Sequence, residues 1–261
     1  MTALDRAFAK ARAENRRALL PFLMSGYPSR ERFRADLAEA ARFADVLEVG
    51  VPFSDPLADG PVIQAAAAAA LREGTTLART LEDIATLPAG APPVVLMLSC
   101  NQVLARGLGA FAAAAAAARV AALIVPDVPL EESAPLEDAL TTRGLALVRM
   151  LAPTTPEARM GRICAGARGF LYAISVAGVT GTRDSLPPGV EDYIRLARRH
   201  APVPLCLGFG ISRPEQVRTL APLADGFVVG SALVRLQQEG KPLSLLLGAL
   251  RDATAIQGDR S

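Results

Sequence analysis

Eight short apolar runs, separated by longer helical stretches, constrain this chain more than any other feature. They lie at 18–25, 45–49, 94–99, 121–126, 145–151, 169–175, 203–207 and 226–230. Most are continuous in Val, Ile and Leu without a polar alternate. That pattern suits strands buried on both faces of a parallel sheet. Between them, stretches such as 29–43, 106–119, 131–142, 155–165, 189–200 and 213–220 read as helices. Eight strands alternating with helices in 261 residues predict an α/β fold, a (β/α)8 barrel with a short extra N-terminal helix. A doubly wound open sheet is the rival, weakened because no G-x-G-x-x-G follows the first run. The alanine tracts 65–70 and 112–118 are expected to be helix, since alanine is the best helix former and lets a helix approach a sheet closely. No composition shift or long linker divides the chain, so residues 1–261 are expected to form one domain.

Composition mainly excludes. With 51% hydrophobic residues the chain can bury a large core, and a net charge of +2 arises from mixed acids and bases, without a basic footprint for nucleic acid or membrane surface. The charged start, MTALDRAFAKARAENRR, lacks the apolar centre of a signal peptide, and no apolar run is long enough to span a bilayer. A cytoplasmic protein is the expectation. Cys100, Cys164 and Cys206 are far apart and fit reduced thiols rather than a disulfide framework or a zinc site. The single histidine, His200, ends the stretch RLARRH, where it suits the helix dipole. A histidine metal cluster or a Ser-His-Asp triad is therefore nearly excluded. Lys10 and Lys241 lie before the first strand and after the last, so neither is placed to form a Schiff base. Catalysis would rest on carboxylates, hydroxyls, thiols, backbone dipoles and the substrate's own electronics.

In a barrel, chemistry sits at the C-terminal ends of the strands. The second run ends on Glu48, and the loop behind it carries Asp59 within LEVGVPFSDPLADGPVIQ. Two carboxylates there are poorly placed for packing and well placed for acid/base work. The alternative is that Glu48 merely ends a strand and Asp59 caps the helix opening at Pro61. Asp127 is placed to cap the helix beginning Glu131-Glu132-Ser133. The seventh and eighth runs exit into Gly208-Phe209-Gly210 and Gly230-Ser231, as a phosphate site built from backbone N–H groups requires, although ordinary turns also favour glycine. The stretch 176–188, rich in Gly and Thr, is long for a barrel loop and reads as a lid.

Taken together, PFLMSGYPS, the stretch around Glu48 and Asp59, LIVPDVPLEESAP, GFLYAISVAGVTGTR, LGFGIS and ADGFVVGSALV resemble the tryptophan synthase alpha-chain family, in order and over nearly the whole chain. The resemblance implies cleavage of indole-3-glycerol phosphate to indole and glyceraldehyde 3-phosphate, with indole passed to a beta subunit in an α2β2 complex. It implies that Glu48 is the general acid/base and that Asp59 holds the indole N–H. The family's phosphate contacts fall on Gly181, Phe209, Gly210, Gly230 and Ser231, and its indole pocket on Phe22, Ile63, Leu98, Ile124 and Tyr172. Thr180 matches the residue that ties the lid to Asp59, while Pro52, Asp55 and Pro129 match partner-facing positions. No metal is implied, and pyridoxal phosphate is expected only in the beta subunit. Ser99 and Cys100 stand where the family commonly has tyrosines, and Met24 where it commonly has threonine, so the ring pocket is expected to be looser. Other readings are a stand-alone lyase releasing free indole, a non-catalytic regulatory partner, or another phosphate-binding barrel.

Overall fold

The computed structural model describes residues 1–56, 59–174, 189–208 and 210–256. After helix α1 (Ala3–Ala13) come β1 (Ala18–Met24), α2 (Arg30–Ala41), β2 (Leu47–Gly50), α3 (Pro61–Arg72), α4 (Leu77–Ala85) and β3 (Val94–Met97). Next are α5 (Cys100–Arg106), α6 (Leu108–Ala117), β4 (Val120–Ile124), α7 (Ala134–Thr141), β5 (Ala146–Leu147), β6 (Arg149–Leu151) and α8 (Glu157–Ala165). The chain finishes with β7 (Leu171–Ile174), α9 (Val190–His200), β8 (Leu205–Gly208), α10 (Pro214–Leu220), β9 (Gly226–Val229), α11 (Ser231–Gln238) and α12 (Ser244–Ala253).

All the strand pairs are parallel, in the order β5-β4-β3-β2-β1-β9-β8-β7-β6. The two ends of that list are consecutive pieces of one segment. The fifth strand, read from the sequence as one unbroken run, divides at Val148: its first half pairs with β4 and its second with β7. The amide of Val148 still donates to the Leu123 carbonyl at 2.8 Å, so the sheet closes on itself as a barrel. The division follows from twist, because one short strand must serve two neighbours that diverge around the barrel.

Side-chain parity separates two cores. In β1, Leu19 and Leu23 pack outward under the helices, while Leu20, Phe22 and Met24 join the inner cluster with Val95, Ile124, Val148 and Tyr172. The inner cluster is closed from below by α1, whose Leu4, Phe8 and Ala11 are buried. Phe8 packs on Phe170 (ring centroids 5.8 Å apart), and Phe170 packs on Tyr172 (6.4 Å). An aromatic column thus runs from the floor of the barrel to Tyr172. Burial of each such ring contributes roughly 1.5–3 kcal/mol. At the floor, Arg16 makes a bidentate pair with Asp45 at 2.5 and 2.7 Å, joining the segment before β1 to the start of β2. The alanine tracts are helical as expected, and buried Ala66, Ala67 and Ala70 belong to the inner cluster together with β1 residues. No helix among the described residues is long and apolar enough to cross a membrane.

Candidate active site

Parity also fixes Glu48. In β2, Leu47 and Val49 face the outer core, and Val46 just before it faces the inner one, so Glu48 points into the barrel. It pairs in register with Phe22 on β1 and Val95 on β3, and it is 1% exposed. Among the described residues, five charged side chains are buried: Arg16, Asp36, Asp45, Glu48 and Asp83. Arg16 and Asp45 pair with each other, Asp36 with Arg32, and Asp83 with Arg30. Glu48 alone of these has neither carboxylate oxygen bonded to any described residue. An unpaired buried charge is expensive, so the group keeps its proton instead. Burial, and then the negative charge of Asp59, raise Glu48 from 4.5 to about 8.

Asp59 lies on the loop before α3. It does not cap that helix: Gly60 holds the N-cap position, with no side-chain cap bond, and Pro61 occupies the first turn. Burial raises Asp59 from 3.8 to about 6. Near neutral pH the two acids therefore divide the work, with Glu48 carrying a proton and Asp59 mostly ionised. Such a split between neighbouring carboxyls assigns an acid and an acceptor.

Asp59 lines a cavity of about 240 Å³ together with Phe22, Met24, Gly50, Phe53 and Met97. Gly50 and Gly208 are required by close approach. A Cβ on Gly50 would lie 2.6 Å from Cζ of Phe22, and one on Gly208 would lie 2.6 Å from Cε1 of Tyr172. Tyr172 is buried, and its hydroxyl is pushed well up by burial and by Glu48, so it stays a neutral hydrogen-bonding group. Phe22, Ile63, Ile124 and Tyr172 belong to the inner cluster, and of these Phe22 also lines the cavity. Leu98 touches the cavity but packs with the outer core. Met97 takes the inward position one residue earlier, and the sequence reading missed it. Counting in twos from Val95 finds it.

Asp127 does not cap its own helix. Its carboxylate accepts from the Ser99 hydroxyl at 2.6 Å and from the Cys100 amide at 2.9 Å, and so serves the start of α5 on the neighbouring strand. The 3-10 turn at Leu130–Glu132 is preceded by Pro129, and α7 starts from Ser133. Ser99, Asp127 and Pro126 also line the cavity, so the wall after β3 is polar.

Gly230 and Ser231 sit at the start of α11, with Gly230 packed 3.3 Å (from its would-be Cβ) against Phe22. Gly210 is exposed. Thr180, Gly181 and Phe209, with the whole stretch 176–188, lie outside the described residues. Of the partner-facing positions, Asp55 and Pro129 are exposed, whereas Pro52 is buried and its carbonyl accepts from Gln102 at 3.1 Å. His200 ends α9 and lies 3.2 Å from Glu157, and the three cysteines are free. Among the described residues no group of three or more His, Cys, Asp or Glu side chains could hold a metal ion.

Residues 8–245 match the family model described as tryptophan synthase alpha chain. The chain is 46% identical to the tryptophan synthase alpha chain of Prochlorococcus marinus, over 90% of this chain and 86% of that one. It is 45% identical to that of Synechococcus elongatus, over 97% of each. Among solved structures, Mycobacterium tuberculosis tryptophan synthase superposes with a TM-score of 0.92 at 34% identity, over 98% of this chain and 99% of that one.

Proposed function

The chain belongs to the tryptophan synthase alpha chain family, and on that premise we propose that Glu48 and Asp59 carry out the retro-aldol cleavage of indole-3-glycerol phosphate. The protein is a carbon–carbon lyase and the partner of a beta subunit that consumes the indole. The observation that carries the site assignment is the buried, unbonded carboxyl of Glu48, holding its proton beside Asp59.

The Asp59 carboxylate accepts a hydrogen bond from the indole N–H and steadies the positive charge that grows on the ring. Glu48 gives its proton to indole C3, turning the ring into an electron sink. The bond between C3 and the glycerol carbon then breaks, and its electron pair returns to the ring. The hydroxyl on that carbon gives up its proton to the Glu48 carboxylate and becomes the aldehyde of glyceraldehyde 3-phosphate. One proton enters and one returns, so Glu48 ends each turnover as it began. Lys10 in α1 and Lys241 after α11 take no part.

Phe22, Ile63, Leu98, Ile124 and Tyr172 hold the indole ring, with Met97 added to that wall. Gly210, Gly230, Ser231 and the backbone of Phe209 and Gly181 receive the phosphate, aided by the N-terminal end of α11. Thr180 ties the closed lid to Asp59. Pro52, Asp55 and Pro129 belong to the face that meets the beta subunit. The chain itself uses no cofactor; pyridoxal phosphate resides in the partner, and both work in the cytoplasm. Residues 1–261 act as one domain.

The test is indole release from indole-3-glycerol phosphate by the purified chain, alone and titrated with a beta subunit from the same source. Slow release that rises and saturates with partner is expected. No release under either condition would overturn the proposal.

A further inference from the structure

The end of α11 remote from the site carries a polar arrangement that the reaction does not absorb. Gln237, in the last turn of α11, is 3% exposed, and Asp36, in the middle of α2, is 1% exposed. The Gln237 amide donates to Asp36 Oδ2 at 2.7 Å and to the Tyr27 carbonyl at 3.4 Å, while its own Oε1 has no partner among the described residues. Asp36 is held from the solvent side by Arg32 Nε at 2.7 Å. The same helix reaches the next segment twice more: Arg32 donates to the Lys241 carbonyl at 3.1 Å, and Glu39 accepts from the Ser244 amide at 2.8 Å. Helix α2 thus grips the C-terminal end of α11 and the chain that follows it.

We infer that Asp36 and Gln237 are positioning residues for phosphate binding, acting through α11. This rests on the reading that Gly230 and Ser231 receive the substrate's phosphate. Helix α11 has only eight residues, so packing and tethers, not its own hydrogen bonds, set its direction. Gln237 lies six residues, roughly 9 Å, along the axis from Ser231. A tilt about one end displaces the N–H groups at the other, and anion binding depends on where those groups point. A hydrogen bond to a buried carboxylate is of the stronger, charge-assisted kind, and it fixes α11 without adding a charge to the core. The second bond, to Tyr27, ties the same amide to the turn after β1, so α11, α2 and that turn move as one piece.

The test measures the affinity of the full chain for glyceraldehyde 3-phosphate and, separately, for indole by calorimetry. Gln237→Met keeps the length and removes the tether. It is expected to weaken the phosphate ligand about five- to tenfold while indole stays within about twofold. A general loss of structure would weaken both ligands alike. Equal losses, or unchanged phosphate affinity in the folded variant, would overturn the inference. Should the single variant unfold because Asp36 loses its inner partner, Asp36→Leu combined with Gln237→Met replaces the polar pair by an apolar one, a change that cores commonly tolerate. The double variant is expected to show the same selective loss, and wild-type phosphate affinity there would refute the tether. A wild-type chain that does not bind glyceraldehyde 3-phosphate would instead overturn the underlying phosphate reading, and the inference with it.

Discussion

Replacing Glu48 by Gln should cut the reaction by orders of magnitude and at the same time stabilise the fold, increasingly so as the pH rises. The unfolded carboxyl ionises near 4.5, whereas in the fold burial and Asp59 hold it to about 8. Between those values the unfolded chain has released a proton that the folded chain retains. The sign follows: the contribution of Glu48 to stability is fully present below about pH 4.5 and is lost as pH rises to about 8. The full gap corresponds to about 5 kcal/mol, and about 3 kcal/mol is already lost at pH 7. Glutamine has nearly the same shape and cannot ionise, so it escapes this loss. Its own amide burial adds a fixed offset that does not depend on pH. Urea unfolding of wild type and Glu48→Gln at pH 5, 7 and 9 reads the titration of Glu48 together with its coupling to Asp59, because groups distant from Glu48 titrate alike in both. The stability difference should move in favour of the variant by roughly 4 kcal/mol between pH 5 and 9. Indole formation should meanwhile fall by about two to four orders of magnitude, the usual worth of a general acid/base. A stability difference that stays flat with pH would refute the reasoning, since Glu48 would then not be a buried, protonated acid.

The pH dependence of kcat/KM should be bell-shaped, rising as Asp59 ionises near 6 and falling as Glu48 deprotonates near 8; Asp59→Asn should remove the acid limb along with most of the rate. Gly208→Ala should raise KM or destabilise the fold by about 1–3 kcal/mol, because its Cβ would sit 2.6 Å from the buried ring of Tyr172; chemical denaturation and steady-state kinetics together decide this, and an unchanged variant would show that the ring yields freely. Asp127→Ala should destabilise the fold by about 1 kcal/mol through loss of the cap on α5, and a negligible change in urea midpoint would argue against that role.

What the sequence revealed and what it concealed divide along physical lines. Strands buried on both faces must be apolar throughout, so the runs were visible, and an acid within one of them stood out at Glu48. Alternation in twos was equally available and places Met97 rather than Leu98 inward, but a continuous apolar run hides its own parity. The division of the fifth strand at Val148 was not legible, because it arises from how one segment meets two diverging neighbours. Nor was the cross-strand service of Asp127 to α5, since capping rules read along the chain and this bond joins residues 28 apart. The Asp36–Gln237 contact spans 201 positions and left no local trace. Sequence periodicity records which face is buried; it is silent on which distant group a buried polar atom meets.

The aromatic column beneath the site has a consequence for isotope labelling. With Phe8 and Phe170 filling the barrel below Tyr172, and Val46, Val95 and Cys206 packed in the same interior, Glu48 stands above an apolar floor. If that floor keeps water out, its proton would trade with bulk water upward, through the mouth proposed to take the substrate. On the proposed mechanism, the hydrogen delivered to C3 and the one recovered from the hydroxyl would pass through that single buried carboxyl. In heavy water, bound substrate would meet whatever isotope Glu48 held at the moment of entry, so the label in product indole would record the history of the empty enzyme rather than the solvent around the complex.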